Sequence, residues 1–298
     1  MNTGGLNTGE TNAGGTFAAE TSAVLSGHDR LPLPRPALLF CPADRPDRYA
    51  KALAAADLVV LDLEDAVRPA AKATAREALL ANPVDPERVM IRVNAVGTAE
   101  FEADIAALRD TAYRIVMLPK AEDPAQFARL APLAWWQVVA LCETPLGVLN
   151  AAALAAAPGV TALMWGAEDL MATMNGRSSR HADGGYRQVA LHARSAVLLA
   201  AAAHGKDAID SVYIDIADLS GLAAEAEDAA ASGFALKACI HPSQVPVVRA
   251  AFRADEAQVA WARRVIAAVS DGGVASVDGQ MIDGPLIRQA EHILNSLR

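Results

Sequence analysis

From residue 36 the chain repeats a pattern that few folds can use. Short, uninterrupted apolar runs rich in branched side chains recur: "ALLFC" from 37, "LVVLDL" from 58, "VMIRV" from 89, "RIVMLP" from 114, "VVALCE" from 138, "VTALMWG" from 160, "SVYIDI" from 211 and "LKACIHP" from 236. Between them lie Ala-, Leu- and Arg-rich segments with helical spacing, such as "AAKATAREALLA" and "YRQVALHARSAVLLAAAAHG". Runs that are apolar at every position suit strands buried on both faces, as in a parallel sheet with helical crossovers. Eight of them in about 240 residues predict an α/β fold, a (β/α)8 TIM barrel, over residues 34–270. A doubly wound open sheet is the competing architecture, but no G-x-G-x-x-G turn follows the first strand.

The flanks have a different texture. Residues 1–33 are rich in Gly, Thr and Asn and poor in bulky side chains, and read as a flexible tail without the basic start and apolar centre of a signal peptide. Residues 271–298 hold a glycine-rich turn, a short segment and a helix beginning near Pro285. With no barrel strand left to supply, this piece reads as a C-terminal helical extension, a lid packing over its own barrel or a neighbouring one. The net charge of −9 disfavours a nucleic-acid partner, and no run of about 18 apolar residues predicts a membrane span. Cys41, Cys142 and Cys239 sit in apolar runs without metal-type spacing, so they read as buried thiols and suggest a reducing, cytoplasmic setting.

In a TIM barrel, chemistry gathers at the C-terminal ends of the strands. The predicted strands run into Asp62, Glu64 and Asp65; Arg92 and Asn94; Lys120; Glu143; Glu168 and Asp169; and His241. Glu143 and Asp169, from adjacent strands, converge as two carboxylates, and two carboxylates completed by water and substrate suit Mg²⁺. The same groups could instead pair with Arg92 or Lys120 in a structural network, and both readings stay open. Asp62 and Asp65 could hold Arg92 or a metal-bound water. Arg45 and Arg48, opening a helix after the first strand, are either phosphate contacts or solvated charges. His241, before Pro242, is either catalytic or a helix cap.

Taken in order, "LLFCPADRPDRYAKA", "VVLDLEDAV", "IRVN", "VMLPKAED", "CETPLGVLNA", "WGAEDL", "CIHPSQ" and "GQMID" resemble the citrate lyase β-subunit-like proteins of the HpcH/HpaI aldolase superfamily, alongside malyl-CoA and citramalyl-CoA lyases. The likeness covers nearly everything but the tail, and is greater to the stand-alone actinobacterial form than to the subunit of a fermentative complex. It implies a Mg²⁺-dependent homotrimeric barrel that cleaves or forms a carbon–carbon bond in a 3-hydroxyacyl-CoA thioester. Citramalyl-, malyl-, citryl- and 3-hydroxy-3-methylglutaryl-CoA are the candidates, giving acetyl-CoA or another acyl-CoA plus a keto acid. By the same resemblance Glu143 and Asp169 match the metal ligands and Arg92 the substrate clamp. Asp283 matches an acid/base that reaches an adjacent subunit's site, and Arg45, Asp62 and Asp65 are assigned to substrate or CoA. No covalent intermediate is implied, which leaves Lys120 structural or substrate-orienting. The sequence departs from the commoner pattern at "CPADRP" and at Leu146, where many relatives carry Arg; the latter bears on the acyl group. Two other readings are a CoA-free class II pyruvate aldolase, which would carry a His near Asp65, and a citrate lyase β-type subunit dependent on partner chains. The segment "NGRSSRHADGGYR" reads as a mobile loop at the mouth of the site.

Overall fold

Leu, Val, Ile and Met side chains on both faces commit the short apolar runs to strands, and the strands close on one another. In the computed structural model, which describes residues 33, 35–133, 136–269 and 275–297, they form a barrel in sequence order. Its members are β1 (Ala37–Pro42), β2 (Leu58–Asp62), β3 (Val89–Arg92), β4 (Ile115–Leu118), β5 (Gln137–Cys142), β6 (Val160–Trp165), β7 (Asp207–Asp210) and β8 (Leu236–Cys239). Every neighbouring pair is parallel, β8 closing on β1. The architecture is the predicted TIM barrel. The expected tail, residues 1–33, falls outside the described residues apart from Leu33.

Alternation along each strand divides the core in two. Leu38, Leu58, Val60, Met90, Met117, Leu141 and Met164 fill the barrel interior, while Leu39, Val59, Leu61, Ile91 and Leu163 join the apolar layer beneath the helices. Because side chains alternate with a period of two, this parity carries past the last apolar residue. It sends Asp62, Arg92 and Glu143 to the interior side at the strands' C-terminal ends. It turns Asp210 and Lys237 outward, between sheet and helices. The register sets Asp62 beside Arg92, and Cys142, just before Glu143, beside Trp165.

One strand differs from expectation. The run "SVYIDI" is not β7; the strand is the preceding Asp207–Asp210, and Ser211–Asp218 forms the rim loop. Asp210 is fully buried there, tolerable in a sheet because Lys237 and Arg194 both reach it.

Local signals set the helix boundaries. Thr98 caps Ala99–Leu108 by accepting from the Phe101 N–H, and Asp255 with Gln258 makes a capping box on Glu256–Ala268. Gly233, at φ +104°, ends Leu219–Ser232 in the left-handed conformation glycine tolerates. The chain then forms a small C-terminal unit. A hairpin of β9 (Ala275–Val277) and β10 (Gln280–Ile282) leads into helix Gly284–Asn295. Ala262, Val265, Val277, Ile282 and Ala290 make an apolar cluster separate from both barrel cores. Among the described residues, no helix is long and apolar enough to cross a membrane.

Candidate active site

A cavity of about 280 Å³ opens at the C-terminal end of the barrel. Its apolar floor is Phe40, Leu141 and Met164; its polar wall is Asp62, Asp65, Arg92, Glu143, Glu168 and Asp169. The volume, at the lower end for small-molecule sites, suits a small organic acid.

The wall is built from β2 outward. Asp62, fully buried, accepts two backbone bonds from its own turn, Glu64 N–H at 2.8 Å and Ala66 N–H at 3.1 Å. It also takes a two-pronged bond from Arg92, Nε at 2.8 Å and Nη2 at 2.5 Å. Asp62 therefore holds Arg92, and its oxygens are occupied in doing so. Burial works against the Arg92 charge, but Asp62 and Glu64 override it and raise the pKa, so the guanidinium stays charged. The Phe40 ring lies 5.0 Å from the guanidinium carbon, a cation–π contact that fixes its plane.

Glu64 links this pair to Lys120. One Glu64 oxygen takes a 2.5 Å bond from Lys120 Nζ. The other lies 3.1 Å from Arg92 Nη1 yet makes no hydrogen bond. Lys72 secures the turn beneath, donating to the carbonyls of Leu63 and Glu64 and to Asn94 Oδ1.

Glu143 follows β5 and is 2% exposed. Its Oε1 accepts from the Lys120 backbone N–H at 3.0 Å. Burial first, then the negative charges of Asp169 and Glu64, push its carboxyl up to about 8. Gly166, at the end of β6, passes so close that a Cβ there would fall 2.7 Å from Glu143 Cβ and 3.1 Å from Oε2; no larger residue leaves the carboxylate in place. Asp169, in the first turn of helix Ala167–Thr173, is the more open of the two, with its side chain 38% exposed. Lys120 Nζ lies 4.0 Å from Glu143 and 3.9 Å from Asp169.

Six side chains are thus joined by ion pairs of 4.0 Å or less: Asp62, Glu64, Glu143 and Asp169 against Arg92 and Lys120. Four carboxyl groups face two cations, and with all four ionised the deficit is the size of one divalent cation. No group of three or more His, Cys, Asp and Glu side chains arranged for a metal occurs among the described residues. The open carboxylates come as a pair, which suits a hard ion that keeps several waters.

The HpcH/HpaI aldolase/citrate lyase model matches residues 37–242. The citrate lyase subunit beta-like protein of Mycobacterium tuberculosis is 56% identical over 87% of this chain and 94% of its own length. The chain belongs to the HpcH/HpaI aldolase/citrate lyase family. It is accordingly a carbon–carbon lyase by class. The fold agrees: the crystal structure of M. tuberculosis CitE with magnesium, acetoacetate and coenzyme A superposes with a TM-score of 0.84 at 55% identity, covering 88% of this chain and 97% of that one. Human mitochondrial citramalyl-CoA lyase is 31% identical over 87% of this chain and 84% of its own.

Within this family member the cavity gathers Asp62, Asp65, Arg92, Glu143 and Asp169. Two other expected residues lie elsewhere in the single chain. Arg45 pairs with Asp47 at the surface, Nε to Oδ1 at 3.0 Å. Asp283 stands at the head of helix Gly284–Asn295 and makes no capping bond with its side chain. His241 serves as the cap, accepting from the Ser243 N–H. The three cysteines are buried and free, their thiols raised by burial. Glu64 and Lys120 went unassigned as site residues; the signal was present in "LDLEDAV" and "LPKAED", where each follows a strand. The segment 175–187, expected to be a mobile loop at the mouth of the site, makes specific contacts with its surroundings. Arg180 stacks on Tyr186 and pairs with Glu225 at 2.7 Å, and Ser179 bonds Glu168 at 2.6 Å.

Proposed function

We propose that the chain is a Mg²⁺-dependent lyase that cleaves, or in reverse forms, the C2–C3 bond of a 3-hydroxyacyl-CoA thioester. The observation that carries this reading is the juxtaposition of Glu143 and Asp169 with a pre-set Arg92 in one cavity. The relatives support it: the CitE structure holds magnesium, acetoacetate and coenzyme A, and the human relative is a citramalyl-CoA lyase.

Glu143 and Asp169 would hold the ion. When bound, it would supply Lewis-acid charge to the substrate's oxygens. Arg92, with two of its five N–H groups committed to Asp62, has others to offer an oxyanion as it forms, a contribution of about 3 kcal/mol for such a donor. Asp65, exposed on the cavity edge, would contact the substrate there. In cleavage the C3 hydroxyl gives its proton to a carboxylate base and its C–O bond becomes a carbonyl. The C2–C3 electron pair passes to the thioester enolate, which takes a proton to become the acyl-CoA product. Asp283 is the proposed base. It does not line the cavity of its own chain; by the family resemblance we assign it to the site of a neighbouring subunit in a homotrimer. Arg45, at the rim after β1, is assigned to the CoA phosphates once it is released from Asp47.

Purified protein with Mg²⁺ would be screened by mass spectrometry against malyl-, citramalyl-, citryl- and 3-hydroxy-3-methylglutaryl-CoA. Metal-dependent release of acetyl-CoA by the wild type, absent in Glu143→Ala, is the expected result. Silence across the panel from folded, metal-loaded protein would return weight to a CoA-free aldolase or a partner-dependent subunit. For the shared site, Asp283→Asn chains are mixed with Glu143→Ala chains; hybrids that stay inactive would refute action in trans.

A further inference from the structure

Lys120 occupies a backbone conformation that a lysine does not adopt unaided. Its φ is +49°, in the left-handed region where a residue with a side chain is strained unless its surroundings hold it there. Two contacts hold it. The Lys120 N–H donates to Glu143 Oε1 at 3.0 Å, and the side chain crosses to Glu64, Nζ to Oε1 at 2.5 Å. Nζ then lies within 4.0 Å of both Glu143 and Asp169. Glycine or asparagine would satisfy the backbone more easily, but neither would place a positive charge beside the two carboxylates. Lys120 is not among the residues that line the cavity.

Resting on the reading of Glu143 and Asp169 as the metal-holding pair, we propose that Lys120 is a built-in counter-cation. It is a positioning residue whose ammonium compensates the pair in the metal-free protein and competes with the divalent ion for it. An ammonium has no lone pair to act as a ligand, and at these distances its charge opposes a dication on the same oxygens. Glu64 is its tether, and through the other oxygen Glu64 meets Arg92. The consequence is a site that stays assembled without the ion and binds the ion with moderated affinity. The negative charge of the substrate then completes its retention.

The test uses Mg²⁺ alone as the probe, followed by calorimetric titration and by thermal unfolding with chelator or with saturating Mg²⁺. Lys120→Met is expected to bind Mg²⁺ about tenfold more tightly than the wild type. It should also melt at a lower temperature in chelator, with the gap closing as Mg²⁺ saturates. Lys120→Arg, which keeps the charge, should retain wild-type affinity. Unchanged or weaker Mg²⁺ binding by Lys120→Met overturns the proposal. Should Met prevent folding, Lys120→Gln, which keeps a hydrogen bond to Glu64, takes the same test. A Glu143→Gln/Asp169→Asn double variant runs alongside. Mg²⁺ binding that survives in it refutes the pair itself, whereas binding lost there without tightening in Lys120→Met refutes only the counter-cation.

Discussion

The barrel carries two ionic clusters with buried centres, and they differ in charge balance. Under the helices, Asp210, Glu225 and Asp228 meet Lys237, Arg194 and Arg180, three charges of each sign. Trp165 Nε1 adds a 2.7 Å bond to Asp210. At the mouth of the barrel, four carboxylates meet only two cations; each cluster leaves one buried atom without a hydrogen bond, Glu64 Oε2 here and Arg180 Nε there. The carboxyl groups respond in opposite directions. Full burial works against the charge of Asp210, but Lys237 and Arg194 override it and its pKa falls. Burial and like charge together push Glu143 up to about 8. A cluster balanced in charge cements a fold; an unbalanced one at a cavity is built to receive something.

The sharpest way to break this contrast is to remove one member from each side. Glu143→Ala should lower kcat by about 10³-fold or more, while unfolding in chelator shows little loss of stability, since a buried carboxylate that Lys120 and Arg92 only partly offset has gone. A destabilised variant would put Glu143 in the cement class. Lys237→Met should do the reverse. It leaves Asp210 and Glu225 short of a buried partner and should cost about 3–5 kcal/mol in denaturant unfolding, with Mg²⁺ affinity of the folded protein unchanged.

A subtler expectation concerns pH. Glu143 ordinarily titrates near 4.5 and in the folded protein near 8. Between those values the folded state binds the proton more tightly than the unfolded chain, so stability in chelator should fall as pH rises through the window. Melting curves at about pH 6 and about pH 8 would show it, and Glu143→Gln should flatten the trend. An equal slope in that variant would assign the effect elsewhere. The smallest change expected is from Ser179→Ala, which removes the bond between the 175–187 segment and Glu168. About 1 kcal/mol of stability and a modest rise in KM, with kcat kept, are the outcome that steady-state kinetics would check.

Much of this was legible in the sequence, for a physical reason. Seven of the eight strands lie in apolar runs that read as strands, β8 despite the Lys237 on its outward face. β7 did not, because "DAID" begins and ends in Asp, and Asp210 becomes a strand residue only through Lys237 and Arg194, remote in sequence. Strand parity brought Arg92 and Glu143 to one cavity; Asp169 joined them from the helix after β6. Asp62 was harder to interpret, since its whole bonding capacity goes to its own turn and Arg92. Lys120 and Glu64 were visible as strand-end charges, but their partnership spans 56 positions in the chain, a separation that periodicity does not encode. The position of Asp283 depends on packing between C-terminal elements, which local pattern does not specify.

The separate apolar cluster of residues 262–290 has one further consequence. Because its side chains pack chiefly on one another, the C-terminal segment of the chain is a natural crossover unit for recombination. A junction in the short stretch Arg253–Ala254, between the helices Val245–Ala251 and Glu256–Ala268, divides the two packing groups with little apolar surface cut. Chimeras that graft this segment between related barrels would exchange whatever it delivers without redesigning the barrel beneath.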